Sequence, residues 1–511
     1  MSNSSICKDN SLIDNISDGC DDLANSDMEF SEVDTIAKVS KGKVLNSVKW
    51  TAIEKYSSQG IQFIVSVVMA RLLTPAEYGI VGIIGVFIGI AQVFINTGLS
   101  QALISKKICT EDDYSTANWI NIGISLICYL LLFFSAPIIS TFYSEPILIP
   151  TIRVMSLTFI IGAFSAVART KLTKQLKFKQ ISLVTLVTCV FSGFIGIFMA
   201  YMGMGVWALV LQSVLAGLLS SICIIFIAKY RFCLIFKKES FKELFGFGSK
   251  ILGSDVLWVI FNNIYPLIIG KAFNPQSVGY FSRASSYSGL VPNNFCSVLE
   301  KVLFPVFAVI QDDNQRLERF YQKSVLITSF LIITGNFILI GLSYPLVLNM
   351  LTEKWLPCVP LLQILCLSKL FSHINSINGR LYMAKGFPGI FLRLSFILQP
   401  LHLAIIITSL HFGLEGMAWG EVVFSLTSTL TSLFVCKKYI GFNPFKILTP
   451  IIPVVVYSGT ICVLSMMAFR FLIASTLINL IIAGVVIITM NYLCLRIFSP
   501  EIYFELKNIR K

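Results

Sequence analysis

The sequence predicts an all-α membrane protein of about fourteen transmembrane helices, in two pseudo-symmetric six-helix bundles plus a C-terminal helix pair. Three observations lead there: composition, the length of the apolar runs, and an internal repeat. Hydrophobic residues make up 55% of the 511-residue chain, charged residues only 13%, and the mean hydropathy is +0.79. Soluble domains carry roughly 25% charged residues, so lipid must be the solvent for most of this chain. A soluble enzyme, a nucleic-acid-binding protein and a secreted disulfide scaffold are excluded on this ground; an integral-membrane enzyme is not. The net charge of +13 reflects topology, because the basic residues lie between apolar runs. The 13 cysteines are scattered, without a CxxC pair or a Cys/His cluster of zinc spacing, so neither a metal nor a cofactor is expected.

Residues 1–40 are polar and acidic, from Asp9 to Asp34, opposed only by Lys8 and Lys38. No apolar stretch follows a basic start, so they read as a disordered cytoplasmic tail and not a signal peptide. Apolar runs suited to spanning helices then lie near 47–72, 79–98, 117–136, 150–170, 181–201, 205–228, 248–270, 286–310, 324–346, 358–379, 388–410, 416–436, 450–470 and 474–496. They are continuous and not alternating, which excludes a β-barrel. Lys and Arg concentrate in every second loop, as in Arg169, Lys171, Lys174, Lys177 and Lys179 after the fourth run. The intervening loops hold only Arg71, Lys271, Arg283, Lys354 and Arg470. The positive-inside rule then places both termini and the basic loops in the cytoplasm.

The first and seventh runs end alike. Ala70-Arg71-Leu72-Leu73-Thr74-Pro75-Ala76-Glu77-Tyr78-Gly79 and Gly270-Lys271-Ala272-Phe273-Asn274-Pro275-Gln276-Ser277-Val278-Gly279 share the order small, basic, x, x, Thr/Asn, Pro, x, x, x, Gly. The expected logic is a basic residue snorkelling to the interface, a helix end at Thr/Asn-Pro, and a glycine admitting the tight re-entry. Six runs separate the copies, so the halves share one orientation and are related by an axis along the membrane normal. Bundles are expected over 41–240 and 241–446, with the helix pair and a cytoplasmic tail in 447–511.

Val302–Ala308 running into Ile310-Gln311-Asp312-Asp313, together with Ala70–Gly79, Gly98–Ile104, Glu353-Lys354-Trp355 and Leu361–Cys366, resembles the polysaccharide transporter (Wzx-like) branch of the multidrug/oligosaccharidyl-lipid/polysaccharide (MOP) superfamily. The resemblance covers about residues 42–500. It implies a non-enzymatic flippase that moves undecaprenyl-diphosphate-linked oligosaccharide across the bacterial inner membrane for surface polysaccharide synthesis. It further implies membrane lipid, a polysaccharide polymerase and chain-length machinery as partners, H+ or Na+ as the coupling ion, and no nucleic acid. The rival reading is a cation-coupled small-molecule exporter of the same superfamily. A polymerase or ligase is opposed by the short outer loops, and an ATP-driven pump by the lack of GxxxxGK[S/T].

Ionisable residues inside spans are costly and mark pathways. In the first span Glu54, Ser58 and Gln62 form one i, i+4 stripe and Lys55 and Gln59 another. The seventh holds Asp255, Asn262 and Asn263, the eighth Glu300 and Lys301 between Pro292 and Pro305, and the tenth Lys369, His373 and Arg380. Lys55, Gln59, Gln62, Asn262, Asn263, Lys301, Lys369, His373 and Arg380 are the candidate substrate-cavity residues, the last three as a basic stripe for an anionic headgroup. Asp255 and Glu54 are the candidate cation-coupling carboxylates. No catalytic residue is expected.

Overall fold

The computed structural model describes residues 41–96, 99–106, 109–230, 235–241, 259–261, 263–471 and 477–508. The acidic stretch 1–40 and the candidates Asp255 and Asn262 lie outside the described residues. Every regular element among the described residues is helical. Nine helices there are long and apolar enough to cross a membrane.

The first half comprises α1 (Lys41–Leu72), α2 (Pro75–Asn96), α3 (Leu99–Ser105), α4 (Glu111–Tyr143), α5 (Leu148–Met155), α6 (Leu157–Lys174), α7 (Phe178–Tyr201) and α8 (Val206–Ala228). Here α1 packs along α7, α7 along α8, and α6 lies between α8 and α4. Gly193 and Gly196 of α7 permit this: a Cβ at Gly193 would lie 2.6 Å from Val65 of α1, and one at Gly196 would lie 2.8 Å from Gln212 of α8. Helix starts follow local chemistry. Thr110 and Asp113 form a reciprocal capping box at the head of α4.

The second half comprises α9 (Ile264–Ala272), α10 (Pro275–Ser288), α11 (Leu290–Val309), α12 (Asn314–Gly341), α13 (Ser343–Leu351), α14 (Cys358–Lys369), α15 (Ser372–Ala384), α16 (Pro388–Ser409) and α17 (Gly413–Ile440). Then follow α18 (Pro444–Leu448), α19 (Ile452–Phe471), α20 (Leu477–Phe498) and α21 (Pro500–Asn508). Several expected single spans are broken. The eighth, 286–310, divides at Gly289 into α10 and α11; the tenth, 358–379, divides after Lys369 into α14 and α15; and the ninth divides at Leu342. The break in the eighth therefore sits at Gly289. Pro292 lies in the first turn of α11, where a missing N–H is harmless, and Pro305 lies inside that helix.

The two halves meet where the repeat predicted a relationship. The N-terminal turns of α2 and α10 cross so closely that a Cβ on Gly79 would lie 1.6 Å from the Pro275 carbonyl oxygen, and one on Gly279 would lie 1.9 Å from the Pro75 oxygen. This corrects the expected role of both glycines. They are helical, with no left-handed backbone, and what they admit is another backbone, not a turn. Pro75 and Pro275 occupy the first helical turn, where proline is pre-shaped for a helix. Asn274 Oδ1 accepts from Ser277 N–H at 2.8 Å and Thr74 Oγ1 from Glu77 N–H at 3.4 Å, so both turns are capped alike, and the Glu77 carboxylate also accepts from Thr74 N–H at 2.6 Å.

The largest buried apolar cluster runs through this crossing, joining Ala70, Ile83 and Ile84 to Phe281, Ala284, Trp355 and Cys358. A real Cβ needs about 3.0 Å, so Gly79→Ala must part α2 and α10 by roughly 1.4 Å or distort them. Cys358 is fully buried beneath the crossing. In a variant retaining only that cysteine, a membrane-impermeant maleimide should spare Cys358 and should label it once Gly79→Ala or Gly279→Ala is added. Protection in all three would refute the crossing as the seal.

Candidate functional site

Cross-half hydrogen bonds cluster around the crossing. Arg71, the basic residue of the first repeat copy, donates from Nε to the Met350 carbonyl at 2.9 Å and from Nη2 to that of Asn349. Lys271, its equivalent in the second copy, donates to the Phe142 carbonyl at 2.6 Å and lies 4.5 Å from the Phe142 ring. Both were expected to snorkel; each instead ties its own half to a carbonyl of the other. Trp355, fully buried, donates from Nε1 to the Ala70 carbonyl at 2.8 Å, and Lys354 donates to that of Arg71 at 2.7 Å. Burial lowers the pKa of Lys354, which lies in the turn Glu353–Trp355 outside the spans, while the Glu77 carboxylate across the seam works in the opposite direction. Arg283 reaches Ser66 at 2.6 Å and stacks its guanidinium 3.9 Å over Tyr78.

Away from this end, the cross-half bond among the described residues is Lys55 Nζ to Ser297 Oγ, between α1 and α11. Lys55 therefore meets the second half. Glu54 instead accepts from Ser182 Oγ of α7 at 3.0 Å, within its own half. Gln59 is half-buried and Gln62 exposed on the same helix. Asn263 folds back on its own turn, donating to the Val259 carbonyl at 2.9 Å, and Lys301 is exposed on α11.

The supposed basic stripe of the tenth span does not form one face, because the break between α14 and α15 turns its members apart. Lys369, at the end of α14, pairs with Glu421 of α17 at 3.2 Å. His373 is fully buried and shares a hydrogen bond of 2.7 Å between Nε2 and Ser329 Oγ. Arg380 pairs with Glu300 of α11 at 2.6 Å, and Ser376 donates to the same carboxylate.

The sequence reading missed the partner of Lys369. Glu421 also meets His402 Nε2 of α16 at 3.1 Å, and the His402 ring stacks 3.7 Å from Phe424 and lies tilted 5.6 Å from Tyr265 of α9. Lys369, Glu421 and His402 thus form a charge cluster joining α14, α16 and α17. The rule that flags ionisable residues inside apolar spans applies equally to Glu421 and His402. Among the described residues no group of three or more His, Cys, Asp and Glu is placed to hold a metal.

A family described as "Polysaccharide biosynthesis protein" matches residues 68–360, more than half of the chain and both copies of the repeat. The chain belongs to this family. It is 25% identical over 409 residues to the lipopolysaccharide biosynthesis protein WzxC of Escherichia coli (strain K12), covering 78% of this chain and 81% of that protein. Its fold is similar to that of the lipid II flippase MurJ in an inward closed conformation, with a TM-score of 0.71 and 18% identity over 89% of this chain and 99% of MurJ. It is also similar to an inward-facing multidrug resistance MATE family transporter of the MOP superfamily, with a TM-score of 0.57 and 14% identity over 74% of this chain and 94% of that one. The expected MOP fold is therefore the observed one, in a multi-pass membrane protein.

Removing Lys369 alone strips the Glu421 carboxylate of its ammonium partner. Breaking a fully buried pair costs about 3–5 kcal/mol, and the partial exposure of Lys369 reduces that figure. Lys369→Met should lower the Tm in detergent more than the double variant Lys369→Met/Glu421→Gln does. Equal or additive losses would mean that the two charges are not coupled.

Proposed function

We propose that this chain is a flippase. Its substrate is an undecaprenyl-diphosphate-linked oligosaccharide, moved by alternating access across the bacterial inner membrane for capsule, exopolysaccharide or O-antigen synthesis. The basic loops and both termini face the cytoplasm, and the repeat crossing faces the periplasm. Residues 41–240 and 241–446 act as two six-helix bundles, with 447–511 appended to give fourteen spans. The observation that carries the reading is the one-ended seam: among the described residues the halves are bonded around the crossing, whereas toward the basic loops the cross-half bond is Lys55 to Ser297. Two rigid bundles held at one end present a cleft at the other, and rocking about the middle exchanges the two. The relatedness to a lipopolysaccharide biosynthesis protein supports a lipid-linked glycan over a small molecule.

A diphosphate needs cations inside the cleft, while the polyprenyl tail stays in lipid. Lys55, Lys301, Lys369 and Arg380 supply that charge in this reading, with Gln59, Gln62, Asn262 and Asn263 as hydrogen-bonding groups, while the fully buried His373 stays on Ser329. Coupling to H+ or Na+ falls to Asp255 or Glu54, and Glu421 joins them by its place in the charge cluster. A surface-polysaccharide polymerase would take the product.

The test is which leaflet holds the lipid-linked oligosaccharide, read with a membrane-impermeant glycan-modifying reagent on intact spheroplasts. Outer-leaflet labelling should be lost on deletion and restored by this chain, and Lys55→Ala should reduce it at normal membrane levels of protein. Labelling unaffected by deletion contradicts the reading and favours a small-molecule exporter.

A further inference from the structure

Beside the crossing lie two adjoining cavities that share Phe142, Tyr143 and Lys271. The larger, of about 560 Å³, is apolar and is walled by both halves, with Phe87 and Ile138 on one side and Leu267 and Leu410 on the other. Ile138 is 72% exposed and Phe142 51%, so the groove opens toward the lipid. The smaller, of about 260 Å³, is polar and contains Lys271, Glu145, Ser144 and Asn274. An apolar groove running into a small polar pocket has the form of an amphiphile.

The charges narrow the class. Lys271 commits one ammonium hydrogen to the Phe142 carbonyl, leaving two donors. The backbone of Glu145 is fixed by Ser140, whose carbonyl accepts from Glu145 N–H at 3.1 Å and whose hydroxyl donates to the Glu145 carbonyl at 2.9 Å. Among the described residues the Glu145 carboxylate pairs with no cation, Lys271 included. One pocket is thus lined by a cationic and an anionic residue that form no ion pair with each other. A purely anionic headgroup would set its charge against Glu145, and a quaternary ammonium would bring no N–H to that carboxylate.

We propose that this composite site binds a phospholipid with a phosphoethanolamine headgroup: one acyl chain in the groove, the phosphate on Lys271 and the primary ammonium on Glu145. Because both halves wall the groove, the lipid binds only while the seam is closed and favours that state. The site is separate from the proposed substrate path, and the inference does not depend on which glycan is carried.

The test is native mass spectrometry of the full-length protein titrated with phosphatidylethanolamine, phosphatidylglycerol and phosphatidylcholine of matched chains, and with undecaprenyl phosphate. Phosphatidylethanolamine should be retained about tenfold better than the other two phospholipids, the scale of one charge-assisted hydrogen bond. Glu145→Gln should abolish that preference while leaving phosphatidylglycerol binding in place, and Lys271→Gln should weaken both. The wild-type competition decides the matter if either variant fails to fold. Equal retention of the three phospholipids, a preference for phosphatidylglycerol, or displacement by undecaprenyl phosphate at equal concentration would each overturn the proposal.

Discussion

The architecture depends on two backbones touching. At Gly79 and Gly279 there is no side chain between α2 and α10, and each glycine lies against the carbonyl of the proline that opens the other helix. No other residue type permits this approach, because a Cβ would overlap the facing oxygen. The buried cluster around Ala70, Ile83, Phe281 and Trp355 closes around the crossing. Once the crossing is made, Arg71 and Lys271 come within reach of carbonyls on the opposite half, and the Trp355 indole meets the Ala70 carbonyl. The same ten-residue motif, used twice, supplies both sides of the contact.

That economy explains how a seam can be firm and still separable. Its polar contacts run largely from side chains to main-chain carbonyls, and such groups at a helix end can return to water or lipid headgroups when the halves part. The charge pairs of the second half lie elsewhere: Glu421, meeting Lys369 and His402, and the half-buried Glu300–Arg380 pair join helices within that half. The Glu421 charge site, costly to break, helps hold one half together, and contacts that are cheap to exchange hold the halves to each other. The rocking motion proposed for this chain needs this division.

Much of this was legible in the sequence, and the rest failed for identifiable reasons. Composition and apolar runs pointed to the helical membrane class, and the repeat picked out the two segments that touch. The motif could not reveal that its glycines face each other, because spacing along a chain carries no information about the partner. Arg71 and Lys271 looked like interfacial anchors for the same reason. The apolar runs 286–310, 324–346 and 358–379 continue through the breaks at Gly289, at Leu342 and after Lys369 and so read as single helices, although Pro292 and Pro345 sit in the first turns that follow two of those breaks; the i, i+4 relation of Lys369 to His373 lost its meaning across a break. Glu421 and His402 were within reach of the rule applied to other spans, since each lies inside an apolar run.

The central claim is that the crossing of α2 and α10 is a reversible closure, and the direct test is a distance across it. Spin labels at Ala76 and Gln276, equivalent positions of the two repeat copies, would be followed by pulsed electron resonance in nanodiscs. The account predicts a short separation in the resting protein and a second, longer population on addition of lipid-linked oligosaccharide with an ion gradient. A single short distance, unchanged while the same sample transports, would contradict it.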